Sequence, residues 1–137
     1  MFLEFPFEYA NIPGLGRLFY PMVSLELKTT RGWEGFSFLV DTGADTTAIP
    51  THLLPVLGID KSKLKQSKTL GVGGFSVATF DFKLPIKIGQ EELMVTASAV
   101  EVKGDAMPLL LGRKDIFEEK FSLEIDSARR VTVIKAS

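Results

Sequence analysis

Residues 21–29, PMVSLELKT, alternate between apolar and polar side chains along almost their whole length. The apolar members Val23, Leu25 and Leu27 fall on one side of an extended chain, and the polar members fall on the other. Successive side chains of a strand point to opposite faces of a sheet, whereas a helix repeats about every 3.6 residues. The segment therefore predicts a β-strand that is buried on one face.

Short segments with strand character continue to the end of the chain and are separated by turns. The predicted strands are residues 36–40, two arms within 69–89, 90–100, 121–126 and 130–135, and residues 108–112 form a short buried run. A turn is expected over 29–35, and one short helix over each of 51–57 and 113–120. About eight or nine strands and two short helices predict an all-β domain, mostly antiparallel, of the barrel or sandwich type.

Length and composition limit the kinds of function that are open to the chain. With 137 residues, of which 45% are apolar, the chain suits a single domain over residues 1–137 with a core of its own. A net charge of -1 argues against a nucleic-acid-binding surface, which usually needs an excess of basic residues. The absence of cysteine excludes disulfides and a thiol nucleophile, and the single histidine, His52, excludes a zinc site built from several histidines.

The N-terminal sequence MFLEFPFEYANIPG does not have the basic start of a secretory signal, and it carries Glu4, Pro6 and Glu8. No run of apolar residues approaches the roughly 18 that are needed to cross a bilayer. The sequence therefore predicts a cytoplasmic protein with no membrane partner.

The segment FLVDTGADTTAIP, residues 38–50, drives an apolar strand directly into an aspartate. A carboxylate that is withdrawn from water is unfavourable unless something holds its charge or its proton. Asp41 could be an ordinary turn residue, because Thr42-Gly43 suits a turn. Its position where a strand meets a loop also suits catalysis, since Gly43 would let a backbone amide approach the carboxylate closely.

Four segments, in order, resemble the retropepsins, the retroviral type of aspartic protease. Residues 41–44, DTGA after an apolar strand, resemble the active-site loop, and residues 70–75 resemble the glycine-rich flap. Residues 109–113, LLLGR, and the closing hairpin at 121–134 also resemble retropepsin segments. The resemblance implies a closed antiparallel β-barrel of the acid-protease type with one or two short helices. The protease core would span residues 20–135, and residues 1–19 would be an N-terminal extension.

The resemblance implies an aspartic endopeptidase, in which two aspartates activate one water molecule. The chain offers one Asp-Thr-Gly sequence. Residues 126–128, DSA, are a poor second copy, because alanine replaces the glycine and too few residues follow to build a second lobe. We therefore expect a homodimer in which Asp41 of each copy supplies one carboxylate. This mechanism requires neither a metal nor any other cofactor.

The resemblance also implies roles for the residues that follow Asp41. Thr42, Gly43 and Ala44 would support the active-site loop. Asp45 would bind the substrate backbone and would also pair with Arg113, because a guanidinium can bind a carboxylate through two hydrogen bonds. The Asp45–Arg113 pair would then brace the loop.

Other implied roles concern the flap and the packing below the loop. Gly71, Val72 and Gly73 would form the tip of the flap, and a peptide or protein substrate would pair with it as an added strand. Leu111 and Gly112 would pack beneath the loop. The apolar residues expected in the pocket wall are Ala44, Ile49 and Val72.

One departure from the retroviral pattern concerns the dimer. Retroviral proteases carry an arginine shortly before the first strand that pairs across the dimer with the aspartate after DTGA. Tyr20 occupies the matching position here, with Arg17 close by. The alternative to an enzyme is a catalytically inactive peptide-binding or dimerisation module of the same fold, which would neither cleave peptides nor bind pepstatin.

Overall fold

The computed structural model describes residues 2–70, 76–102 and 107–137. These ranges contain twelve strands and two 3₁₀ helices, Thr51–Leu53 and Lys61–Lys63. The strands are β1 (Phe2–Pro6), β2 (Glu8–Ile12), β3 (Gly16–Tyr20), β4 (Met22–Thr29), β5 (Gly32–Val40), β6 (Thr47–Pro50), β7 (Lys65–Leu70), β8 (Ser76–Ile88), β9 (Glu91–Val100), β10 (Leu109–Leu111), β11 (Phe121–Asp126) and β12 (Val131–Ala136). No helix within the described ranges is long and apolar enough to cross a bilayer.

Seven strands form the main sheet in the order β4-β5-β10-β6-β9-β8-β7. β4 also pairs with β8, through Glu26 opposite Lys87 and Leu27 opposite Ile86. The strand at one edge of the sheet is therefore hydrogen-bonded to the strand next to the other edge. The predicted all-β class is confirmed. The sheet is mixed rather than purely antiparallel, because β10 runs parallel to β5 and β6 runs parallel to β9. Parallel neighbours need a long connection, and in both pairs other strands intervene along the chain.

The core lies against the inner face of the main sheet. The alternation predicted for residues 21–29 is confirmed in β4, where Val23, Leu25 and Leu27 are buried and Lys28 is exposed. Alternate residues of β8 and β9 are buried in the same way. The core is completed by Phe38, Ile49, Leu54, Leu111, Ile116, Phe121 and Ile134. Each fully buried side chain of this kind contributes roughly 1.5–3 kcal/mol, so packing holds the strands that carry the DTGA loop.

Three local predictions differ from the structure. The turn expected over residues 29–35 is shorter, because Gly32 (φ 107°) already begins β5. Residues 113–120 form a series of hydrogen-bonded turns instead of a helix. Asp115 has a left-handed backbone there (φ 66°), which a continuous right-handed helix cannot include. The other expected helix is reduced to Thr51–Leu53.

A second, three-stranded sheet has the order β1-β12-β11 and is antiparallel. The closing hairpin predicted over residues 121–134 is confirmed as β11 and β12. The segment expected to be an N-terminal extension, residues 1–19, supplies β1 to this sheet. β2 and β3 pair with each other as a separate hairpin. A single domain over residues 1–137 stays a prediction.

Candidate active site

Asp41 stands at the end of β5, where neighbouring backbone segments hold it in place. The Val40 amide donates to the Pro21 carbonyl at 3.0 Å, and the Asp41 amide donates to the Leu111 carbonyl at 3.0 Å. Phe38 and Val40 are buried, so the core fixes the strand that leads into the loop. The Asp41 side chain itself is only half-buried. An apolar strand that ends in an acid therefore positions a carboxylate by packing while leaving it open to solvent on one side.

The loop orients the Asp41 carboxylate with its own backbone. The Gly43 amide donates to Asp41 Oδ1 at 3.0 Å, and the Ala44 amide donates to the Asp41 carbonyl at 3.1 Å. A Cβ atom added at Gly43 would lie 3.3 Å from Asp41 Oδ1, which is a tight contact. Glycine at this position therefore allows the amide to reach the carboxylate. Thr42 and Gly43 are exposed, so this side of the loop is accessible.

Arg113 contacts the loop at several points. Its Nη2 atom donates to Asp45 Oδ1 at 2.6 Å, and its Nη1 atom donates to the Thr42 carbonyl. The Arg113 amide donates to the Ala44 carbonyl at 3.2 Å, and the Lys114 amide donates to the Asp45 carbonyl at 2.9 Å. The Asp45 side chain is 88% exposed, so the ion pair adds little to stability. Together, the four bonds join the Arg113 segment to the loop.

Leu111 and Gly112 lie directly beneath the loop. Leu111 is fully buried, and the Gly112 amide donates to Thr47 Oγ1 at 3.2 Å in the interior. A Cβ atom at position 112 would collide with the backbone of Thr46 and would lie 2.8 Å from the Thr47 amide nitrogen. The side chain is absent here because two backbone segments pass too close together to admit one.

Asp115 is a supporting residue that the sequence did not reveal. Its Oδ2 atom accepts hydrogen bonds from the Thr96 amide at 2.8 Å and from Thr96 Oγ1 at 2.7 Å. Lys83 Nζ donates to the same hydroxyl at 2.9 Å. These bonds attach the turns that follow Arg113 to β9. An aspartate tolerates a left-handed backbone better than most residues do, but nothing in the sequence identifies its partner.

The carboxyl of Asp115 predicts a specific pH dependence of stability. The Thr96 hydroxyl and then the Thr96 amide donate to the carboxylate, and these bonds hold the pKa of Asp115 below its ordinary value. A lowered pKa in the folded protein stabilises it above the unfolded pKa of about 3.9, and this contribution disappears as the pH falls through the folded pKa. Asp115→Asn keeps an acceptor oxygen and suits the left-handed backbone. We expect it to be less stable than the parent between about pH 5 and 7, with the difference shrinking below about pH 4.

Urea unfolding curves measured from neutral pH down to acid pH test this prediction. Both proteins would carry Asp41→Asn as well, so that they share the same Asp41 loop and differ only at position 115. A stability difference that stays constant through the acid range would contradict the proposed contribution of the Asp115 charge.

An open groove of about 330 Å³ runs beside the loop. Its lining includes Ala44 and Asp45 from the loop, Ala48 from β6 and Ser98 from β9. Ser98 Oγ donates to an acid on β8, Asp81, at 3.0 Å, so one side of the groove carries polar groups. The volume is within the range of small-ligand sites and suits a few side chains of an extended peptide.

The expected pocket wall is corrected in one place. Ile49 is fully buried in the core and does not line the groove, because alternate residues of β6 point away from it. The predicted flap residues Gly71, Val72 and Gly73 lie outside the described residues. The strands on either side of them, β7 and β8, pair antiparallel as far as Leu70 opposite Ser76. Within the ranges that the structure describes, no group of three His, Cys, Asp or Glu side chains could hold a metal ion.

Comparison of the sequence with protein families gives a match over more than half of the chain. The model of the gag-polyprotein putative aspartyl protease family matches residues 32–115, which include the Asp41 loop, Arg113 and Asp115. Comparison with curated proteins gives no match.

Several solved structures share the fold. A retropepsin-like aspartic protease from Rickettsia conorii superposes with a TM-score of 0.60 and 23% identity, covering 82% of this chain and 88% of that one. EIAV protease complexed with the inhibitor HBY-793 superposes with a TM-score of 0.53 and 26% identity, covering 69% of this chain and 82% of that one. The retroviral protease-like domain of Ddi1 from Leishmania major superposes with a TM-score of 0.51 and 14% identity, covering 78% of this chain and 82% of that one. These likenesses confirm the retropepsin-type fold predicted from the sequence.

Proposed function

The chain belongs to the gag-polyprotein putative aspartyl protease family, and from this premise we propose that it is an aspartic endopeptidase that works as a homodimer. The observation that carries the proposal is the Asp41 loop. One half-buried carboxylate is held by the Gly43 amide at 3.0 Å, at the end of a buried strand, in a loop whose residues Ala44 and Asp45 line an open groove. The chain has one such loop, so a pair of catalytic aspartates requires two copies.

The chemistry follows from bringing two carboxyl groups together. Like charges at hydrogen-bonding distance cannot both ionise, so the two Asp41 side chains share one proton and titrate as a pair. The ionised carboxylate takes a proton from a water molecule, whose oxygen adds to the carbonyl carbon of the peptide bond. The protonated carboxyl gives its proton to the carbonyl oxygen. The tetrahedral intermediate then collapses: the C–N bond breaks, the nitrogen leaves with the proton of one carboxyl, and a hydroxyl of the intermediate gives its proton to the other carboxylate, which restores the shared proton.

The surrounding residues support this reaction by keeping the loop in one geometry. The Gly43 amide restricts the orientation of the Asp41 carboxylate, and Arg113 holds the loop through Thr42 and Asp45. A misplacement of about 1 Å at reacting atoms can cost about a hundredfold in rate, so such bracing matters for catalysis. The exposed Thr42 side chains suit a contact between the two loops. A peptide in extended form would lie along the groove and pair with the flap as an added strand.

Dilution tests the proposal directly. We expect specific activity on a peptide library to fall steeply when the protein is diluted below its dimer dissociation constant, because a single Asp41 has no partner. Sedimentation at the same concentrations gives the fraction of dimer independently. Activity that stays constant in a verified monomer would exclude the shared dyad, and a stable dimer that neither cleaves peptides nor binds pepstatin would favour the inactive module.

A further inference from the structure

β2 and β3 form a hairpin, residues 8–20, that stands apart from both larger sheets. Its register runs from Glu8 opposite Tyr20 to Ile12 opposite Gly16, and no third strand pairs with it in the described part of the chain. Gly14 (φ 84°) provides the backbone conformation that the tip requires. A two-stranded hairpin is at best marginally stable in water by itself. A surface that covers this one, the N-terminal hairpin, would therefore stabilise it.

One face of the N-terminal hairpin is aromatic. The Phe7 and Phe19 rings stack with their centroids 4.1 Å apart, and Tyr9 meets Phe7 edge-on at 6.4 Å. The Arg17 guanidinium lies 3.8 Å from the centre of the Tyr9 ring. In spite of these contacts, Tyr9 is 40% exposed and Phe19 is 42% exposed. The cluster is ordered by its own stacking but still presents apolar surface to solvent.

The opposite face carries aliphatic side chains beside Glu8 and Tyr20, and it is only partly covered. Ala10 stands opposite Leu18, which is 37% exposed, and Ile12 lies on the same face. Leu15 at the tip is 69% exposed. None of residues 8–20 is buried. Both faces of the hairpin therefore carry apolar side chains that lack a covering layer within this chain's described residues.

The root of the N-terminal hairpin lies beside the candidate active site. The residue after β3, Pro21, accepts the 3.0 Å hydrogen bond from the amide of Val40, the residue immediately before Asp41. The other leg is fixed by the Phe7 amide, which donates to the Arg130 carbonyl at 2.9 Å. Five residues of strand extend about 17 Å at roughly 3.4 Å per residue. The hairpin therefore extends well beyond a root that lies one residue from the strand leading into Asp41.

We propose that the N-terminal hairpin is a dimerisation arm, which packs its exposed apolar faces against a second copy of this chain. The proposal rests on the proposed function for the position of that second copy. A stable interface buries about 800 Å² on each partner, and the exposed apolar side chains of the hairpin would add to the surface that the two acid loops contribute. A two-fold axis at the Asp41 pair would place both hairpins next to the interface.

The charge of the hairpin supports a second copy as the occupant. It carries one acidic residue, Glu8, and one basic residue, Arg17, so it has no net charge. A surface for nucleic acid or for anionic lipid requires an excess of basic residues. A neutral apolar surface is compatible with self-association, because an isologous interface brings the same patch of each copy to the interface.

The test measures dimer affinity in variants of the full chain. Leu18→Glu and Phe19→Glu place a charge on each face, and Met94→Glu is the matched control on β9, where Met94 is 60% exposed. We expect sedimentation equilibrium to show a dimer dissociation constant at least about tenfold higher for the double hairpin variant, and a change within about twofold for the control. Unchanged urea midpoints at monomer concentrations would show that the core is intact.

A second measurement leaves both faces unaltered. The chain contains no cysteine, so Leu15→Cys and Met94→Cys each carry a single nitroxide label. On dimerisation, we expect the label at position 15 to become less accessible to a soluble relaxation agent, and the label at position 94 to stay accessible.

The outcomes separate this proposal from the proposed function. If both hairpin substitutions leave the dimer dissociation constant unchanged, the dimerisation arm is contradicted and the shared pair of Asp41 carboxylates is not affected. A dimer that is weakened by the hairpin substitutions, from a protein that cleaves no peptide, supports the dimerisation arm and contradicts the proposed endopeptidase activity. A wild-type protein that stays monomeric at all concentrations overturns both. Flotation with vesicles of neutral and anionic phospholipid that depends on Leu18 and Phe19, with dimer affinity unchanged, would assign the hairpin to a membrane and overturn the arm.

Discussion

Asp41→Asn is expected to reduce peptide hydrolysis by at least about a thousandfold while leaving the fold and the dimer intact. An amide can neither take a proton from water nor give one to a carbonyl oxygen at the required steps. In a homodimer the single substitution removes both members of the dyad at once. The side chains have nearly the same shape, and asparagine can still accept the hydrogen bond from the Gly43 amide. The loss should appear in kcat, with sedimentation and the circular dichroism spectrum unchanged.

Asp126→Asn is the matched control for this experiment. Asp126 begins the sequence that resembles a degenerate second motif, and its carboxylate accepts a local bond from the Arg129 amide, at 3.0 Å. Asparagine can keep that bond, so activity should stay within about twofold of wild type. An Asp41→Asn protein that retains substantial activity would contradict the assignment of the catalytic acid. A loss of activity caused by Asp126→Asn would instead support residues 126–128 as a second catalytic motif.

Gly112→Ala is expected to destabilise the protein by about 3 kcal/mol and to abolish activity, because the added methyl group overlaps the backbone of the active-site loop. The Cβ atom would collide with Thr46 and lie 2.8 Å from the Thr47 nitrogen, and neither backbone atom can move without displacing the loop. The hydrogen bond from the Gly112 amide to Thr47 Oγ1 would be lost in the same movement. Urea unfolding gives the change in stability, and peptide cleavage reports the displaced loop.

Gly35→Ala controls for the loss of glycine as such. Gly35 lies on the exposed side of β5, and a Cβ atom there would meet nothing within 4 Å. The free energy of unfolding should therefore change by no more than about 0.5 kcal/mol. Equal effects of the two substitutions, or a stable and active Gly112→Ala protein, would contradict the close passage of the two backbone segments.

The fold class and several strands were predictable because period-two patterning reports burial directly. β4 shows this best: its alternating residues Val23, Leu25 and Leu27 are all buried, as the pattern required. The pairing partners of the strands were harder to predict from the sequence. Nothing in the apolar run of residues 109–111 distinguishes a parallel neighbour from an antiparallel one, and β10 is parallel to β5. The N-terminal hairpin was not predicted, although Pro13-Gly14 between two alternating stretches is a turn signal.

The candidate site was predictable where a motif is contiguous in sequence. Residues 41–45 were identified from the aspartate and the glycine of one short segment. Arg113 was assigned as the partner of Asp45 through the family resemblance, and the two side chains are in contact at 2.6 Å. Asp115 was missed, because its role depends on a left-handed backbone and on Thr96, a residue far away in the chain. Long-range polar contacts of this kind leave no local pattern. The assignment of Ile49 to a pocket wall failed for a related reason, since the face that a short strand buries depends on its neighbours.

We propose that two copies each supply one Asp41 to a single active site. Mixing tests it most directly: equal amounts of wild-type and Asp41→Asn protein are allowed to exchange subunits, at a total concentration far above the dimer dissociation constant. If the dyad is shared, only wild-type homodimers cut, and activity falls to about one quarter of that of wild type at the same total concentration. If each copy works alone, activity falls to about one half, and that result would contradict the account.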